Sequence, residues 1–125
     1  MVRDDRKYHI GFSRQDLCDD PPADAILCGD PERTRMIATE FPGVELIRPL
    51  SENRGLSSFL VRIPGGRKIV CATSGMGAPS LSIVVNELVS VGISRIVRVG
   101  TTGSIQDHVR AGSIVITRGA LCRQG

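Results

Sequence analysis

Long apolar runs are missing from this 125-residue sequence: no stretch of about eighteen apolar residues occurs, which excludes a membrane-spanning helix. The opening Met1-Val-Arg-Asp-Asp-Arg-Lys-Tyr-His9 is charged and lacks the apolar centre of a secretory leader, so no leader is expected. Cys18, Cys28, Cys71 and Cys122 stand far apart, with no CxxC and no Cys/His ligand spacing. No metal site is expected, and a reducing cytoplasm is the simplest home. Cys28 and Cys71 lie inside apolar runs, where a reduced thiol packs as a small hydrophobe. A strong charge of one sign is lacking too: the net charge is +3 with scattered cations, so neither nucleic acid nor a membrane surface is expected as a partner. Aromatics are scarce at 3%, but 41% hydrophobic and 23% charged residues make a globular composition and exclude disorder.

What is present is one domain's worth of chain, able to bury roughly two-thirds of its unfolded surface. Its cations are fourteen arginines against two lysines, Lys7 and Lys68. The guanidinium fork suits phosphate and carboxylate, although codon bias gives the same excess. Residues 1–22 read as a polar arm ending in Asp19-Asp-Pro-Pro22. Ala25–Cys28 reads as a buried strand. Asp30 as N-cap and Pro31 at the first position open a helix with Ile37, Ala38 and Phe41 on its apolar face, stopped at Pro42-Gly43. Val44–Ile47 reads as a second strand. Leu56–Ile63 and Arg67–Ala72 flank Pro64-Gly65-Gly66 as a hairpin. Pro79-Ser80 opens a helix carrying Ile83, Val84, Leu88 and Val91, with Gly92 as its cap. Ile96–Val99 and Ile114–Ile116 read as further strands. Strand and helix alternate, which predicts an α/β fold with a mixed sheet.

Three strand ends are followed by small-residue turns: Gly29-Asp30-Pro31, Ser74-Gly75-Met76-Gly77 and Gly100-Thr101-Thr102-Gly103. Ligands of open α/β sheets gather at the carboxyl ends of strands, and small residues let backbone N–H groups approach an anion. Arg33 lies on the first helical turn after Gly29. It is either a solvated helix residue or an anion ligand, and the helix dipole mildly opposes a cation there. Arg98 interrupts the apolar Ile96-Val-Arg-Val99, so it either faces solvent or, if buried, needs an anionic partner. No nucleophilic triad, carboxylate pair or HExxH can be placed. Asp107-His108 and His9 alone carry no chemistry. The residues point to an anion site built on Arg and glycine turns, with the reaction left open.

These motifs resemble the nucleoside phosphorylase family, and within it the uridine branch. His9-Ile-Gly-Phe12, Gly29-Asp-Pro-Glu-Arg33, Ser74-Gly-Met-Gly-Ala-Pro-Ser80 with its helix through Glu87-Leu88, and Arg98-Val-Gly-Thr-Thr-Gly103 carry the resemblance over nearly all of residues 9–118. It implies a three-layer fold, a central mixed sheet flanked by helices, incomplete here. It also implies reversible phosphorolysis: phosphate attacks C1′ of a nucleoside to give ribose 1-phosphate and the free base. By the resemblance Arg33 and Arg98 are catalytic. Gly29, Arg33, Arg98 and Thr101 hold phosphate, joined by Arg54 of a neighbouring subunit. His9 of that neighbour reaches the ribose 5′-hydroxyl, and Thr102 and Gly103 lie beside base and ribose. Partners are therefore a nucleoside, phosphate and further copies of the chain, as dimer units of a hexamer. No cofactor is expected. Gly55 stands where some members use a glutamate to bind a monovalent cation between subunits, which speaks against that site.

Two other readings remain: a purine nucleoside phosphorylase or nucleosidase of the same fold, and an inert fragment or oligomer-forming module. The retained Arg33, Arg54 and Arg98 favour phosphate over water as the attacking group. The residues that read the base belong to the family's C-terminal half, which this sequence does not contain. Residues 1–125 are thus expected to be the N-terminal part of one larger domain, with negligible turnover alone.

Overall fold

The computed structural model describes residues 5–123; residues 1–4 of the expected arm and residues 124–125 lie outside the described residues. Its elements are β1 (Asp24–Cys28), α1 (Pro31–Thr39), β2 (Glu45–Ser51), β3 (Ser58–Arg62), β4 (Lys68–Thr73), α2 (Gly77–Ser90) and β5 (Arg95–Val99). Short 3-10 turns occur at Arg14–Leu17 and Asn53–Gly55. The strands form one mixed sheet in the order β2-β3-β4-β1-β5. β1 runs parallel to both β4 and β5, whereas β2, β3 and β4 are antiparallel neighbours.

Period-two alternation sorts the strand side chains onto two faces. Leu27, Leu60, Val70 and Ala72 pack with Val84 and Leu88 of α2. Phe59, Val61, Ile69 and Cys71 pack with Ala38 of α1. One helix therefore covers each face, and the expected α/β three-layer arrangement is what the chain adopts. Each fully buried Leu or Phe contributes about 1.5–3 kcal/mol to holding the layers together.

Local signals set the helix ends. Asp30 Oδ1 accepts from the Glu32 N–H at 2.9 Å, and Pro31 occupies the first helical position, where no N–H is needed. At the far end of α2, Gly92 takes φ +108°. Its N–H reaches the Val89 carbonyl at 3.0 Å, and the Ile93 N–H reaches that of Leu88 at 3.1 Å. This is the Schellman closure, with buried Ile93 and Leu88 as its apolar contact.

Four expectations are corrected or extended. β2 runs on to Ser51 through Pro49, because it is an edge strand and one side needs no donor. Phe41 is 60% exposed: α1 stops at Thr39, short of the turn that would bring the ring inward. Ile114, Val115 and Ile116 are not a strand; they are 92%, 60% and 86% exposed and pair with no described strand. An apolar triplet favours a strand only where a neighbouring backbone supplies the ladder. The segment read as a polar arm places Ile10, Phe12 and Leu17 in the core against α2.

Candidate active site

Because β1, β4 and β5 are parallel, their carboxyl ends share one edge of the sheet, and the three small-residue loops emerge there together. Ser74 binds the second loop to the first: its N–H and its hydroxyl both donate to the Cys28 carbonyl, at 2.7 and 3.2 Å. Ser80 Oγ then donates to the Ser74 carbonyl at 2.7 Å. Between the loops lies a cleft of about 600 Å³ lined by Gly29, Asp30, Pro31, Arg33, Gly75, Met76, Arg98, Gly100 and Thr101. Four of the residues expected at phosphate, Gly29, Arg33, Arg98 and Thr101, are thus brought together within one chain.

Arg98 is exposed on β5, so the solvent-facing alternative holds for it and the buried one does not. Its guanidinium lies in a slot between two glycines. A Cβ at Gly29 would sit 3.0 Å from Nη2, and one at Gly100 would sit 2.9 Å from Nη1. Some other arginines are ion-paired: Arg35 with Glu32 and Glu40 at 2.6 and 2.8 Å, Arg95 with Asp24 at 2.5 Å, Arg62 with Glu45 at 3.1 Å. Among the described residues, Arg33 and Arg98 have no carboxylate partner. Both act on Cys28 beneath the cleft. Burial pushes that thiol up, and the two guanidiniums pull it back only in part. Two forks without an ion-pair partner among the described residues, the N-terminus of α1 and a set of glycine turns are chemistry suited to a tetrahedral oxyanion, with Asp30 also in the lining.

His9 and Arg54 form a second cluster outside this cleft. Arg54 Nη2 donates to the Tyr8 hydroxyl at 2.9 Å, and its guanidinium stands 4.9 Å from the Tyr8 ring centre. His9 Nδ1 lies 2.6 Å from Glu87 Oε1. Asn53 Nδ2 donates to the carbonyls of Tyr8 and His9 at 2.8 and 2.9 Å, joining the two halves. The fold therefore groups the two residues that the resemblance draws from a neighbouring subunit, and holds them apart from the four it draws from the chain itself. Thr102 and Gly103 are exposed and line a separate concavity with residues 104–106 rather than the arginine cleft. Asp107 and His108 are likewise exposed.

The sequence profile of the Phosphorylase superfamily matches residues 24–125. The chain belongs to that superfamily. It is 38% identical over 120 residues to a uridine phosphorylase of Klebsiella aerogenes, covering 94% of this chain and 44% of that protein. It is also 38% identical over 118 residues to a DeoD-type purine nucleoside phosphorylase of an Exiguobacterium species, covering 94% and 47%. The crystal structure of uridine phosphorylase from Vibrio fischeri superposes with a TM-score of 0.72 at 32% identity, over 88% of this chain and 43% of that one. The chain thus spans less than half the length of the relatives it matches. The phosphorylase fold seen here is a partial domain.

Within this superfamily member, several contacts were not singled out from the sequence. Glu87 is the only charge in the fourteen residues of α2, a signal in plain view that needed the fold to reveal its partner. Tyr8 and Asn53 carried no signal, because their partners are 46 and 44 residues away along the chain. Met76, 90% exposed, enters the cleft only because its loop is drawn to β1.

Proposed function

We propose that this chain is the phosphate-holding, N-terminal part of a uridine phosphorylase subunit. Inorganic phosphate would attack C1′ of uridine as the C1′–N bond breaks, giving ribose 1-phosphate and uracil. The observation that carries the reading is the cleft in which Gly29, Arg33, Arg98 and Thr101 meet, its two arginines in no ion pair among the described residues. Arg98 and Arg33 grip the oxyanion and hold it for attack, which turns a bimolecular encounter into a placed one. Their charge also stabilises the phosphate beneath an oxocarbenium-like ribose. No protein nucleophile is needed.

Arg54 and His9 complete the site from a neighbouring copy in this reading, so the active form is a cytoplasmic homo-oligomer of dimer units, six chains in all. No cofactor takes part, and Gly55 leaves no carboxylate for a cation between subunits. Uridine is favoured by Thr101-Thr102-Gly103 and by the uridine relatives; the purine relative at equal identity supports a purine nucleoside as the second reading.

The test is uracil release from uridine, with and without phosphate, by this chain alone and by the chain extended with the C-terminal half its relatives carry. The extended form is expected to release uracil only with phosphate, and this chain alone to release almost none. Release without phosphate makes the protein a nucleosidase. Preference for inosine moves it to the purine branch.

A further inference from the structure

Glu87 stands mid-surface on α2 with its side chain 18% exposed, and takes three donors from one short segment. The N–H groups of His9 and Ile10 reach it at 3.1 and 2.9 Å, and His9 Nδ1 at 2.6 Å. An ionised carboxylate only accepts, so Nδ1 must carry its hydrogen. In the neutral imidazole the other nitrogen, Nε2, is then a bare acceptor. The ring is 32% exposed, and Tyr8 meets it edge-on at 4.9 Å and 85°. Asn53 fixes the backbone on either side of it through the Tyr8 and His9 carbonyls.

We infer that Glu87 is a positioning residue: it locks His9 in the Nδ1–H tautomer and presents Nε2 as a hydrogen-bond acceptor for the sugar hydroxyl of a nucleoside bound by the neighbouring subunit. The inference rests on the placement of His9 at the ribose 5′-hydroxyl proposed above, and extends it to specificity. A site offering a bare acceptor requires a hydroxyl donor, and a 5′-deoxy sugar leaves that acceptor unpaired. A tether serving only to hold residues 8–10 against α2 would use the two backbone N–H groups and be indifferent to which ring nitrogen is protonated.

Nitrogen NMR of this chain at alkaline pH reads the tautomer directly, with exposed His108 as the internal reference. His9 is expected as Nδ1–H with a bare Nε2, and His108 as the mixture of a free imidazole. In Glu87→Gln, His9 is expected to move toward the His108 pattern. A native His9 carrying its proton on Nε2 overturns the proposal without any variant having to fold. The second arm uses the extended enzyme and the ratio of kcat/KM for uridine over 5′-deoxyuridine. Both His9→Ala and Glu87→Gln are expected to lower that ratio about tenfold while the KM for phosphate is unchanged. Loss in His9→Ala but not in Glu87→Gln overturns the role of Glu87 alone. A ratio untouched by His9→Ala overturns the ribose placement, and with it the presentation of Nε2 to the sugar.

Discussion

A methyl group at position 29 would sit 3.0 Å from Arg98 Nη2 and 3.3 Å from the Gly75 carbonyl; the carbonyl is backbone, so the exposed Arg98 side chain is the neighbour that moves. Gly29→Ala is therefore expected to push the guanidinium out of its slot. Arg98→Ala removes the fork outright, and charge-assisted hydrogen bonds of this kind are worth about 1.5–3 kcal/mol, or roughly ten- to a hundredfold in affinity. Isothermal calorimetry with inorganic phosphate checks both variants; unchanged affinity in Arg98→Ala refutes the placement of the anion. Chemistry at the thiols is decided by the same local surroundings. Burial pushes Cys71 up to about 12 and also raises Cys28, whereas Cys18 and Cys122 are exposed. Alkylation of the native chain near neutral pH is expected to label Cys18 and Cys122 and spare Cys28 and Cys71, with peptide mass mapping as the readout. Labelling of Cys28 in the native state would mean that the end of β1 opens to solvent.

Among the elements, the N-terminal segment is the one whose attachment depends on pH. The Asp16 carboxyl titrates below its ordinary 3.8, chiefly because it accepts from the Ser13 backbone, with the Ser13 hydroxyl and Arg6 and Arg48 adding to the effect against a burial cost. For Glu87 burial is the largest influence and raises the pKa from 4.5. The hydrogen bonds from Ile10 and His9 together outweigh it, and the net shift is downward. Carboxyls depressed in the folded state contribute stability that is complete above their ordinary values and is lost as the pH falls through the lowered ones. Hydrogen exchange is therefore expected to show residues 9–17 loosening first on acidification below the ordinary carboxylate range, with the β1–β4 core still protected. In α1, Asp30→Ala removes the acceptor for the Glu32 N–H and is expected to cost about 1 kcal/mol, read from a denaturant midpoint. Asp30 and Pro31 announced that helix start in the sequence. Phe41 misled, because periodicity does not say where a helix stops being supported by packing.

At the scale of the whole molecule, His9 and Arg54 lie together, apart from Arg33 and Arg98, and the proposed sharing of the site between copies is tested by complementation. In the extended protein, Arg33→Ala and Arg54→Ala are each expected to abolish phosphorolysis. Mixing the two variants after dissociation is expected to restore about a quarter of the sites, since half of random pairs are heterodimers with one intact site in two. No recovery in a mixture proved to contain heterodimers refutes the sharing. Much of this organisation was legible beforehand: the alternation of elements and the glycine turns follow from local signals that short segments carry, whereas the phosphate roles of Gly29, Arg33, Arg98 and Thr101 came from the family resemblance. Ile114–Ile116 misled for a reason of scale, since an apolar run becomes a strand only when another strand lies beside it, and residues 114–116 pair with none that is described. The sequence by itself determined the alternation of β1, α1, the β3–β4 hairpin, α2 and β5, the cap of α1 at Asp30-Pro31 and the small-residue turns after β1, β4 and β5, because those depend on neighbours a few residues apart. The tertiary structure alone decided that Arg98 lies between two glycines while other arginines find carboxylates, that Thr102 and Gly103 turn away from the arginine cleft, and that Glu87 holds His9 across 78 residues of chain. Those contacts exist only once a parallel sheet brings distant strand ends to one edge and α2 packs beside the N-terminal segment.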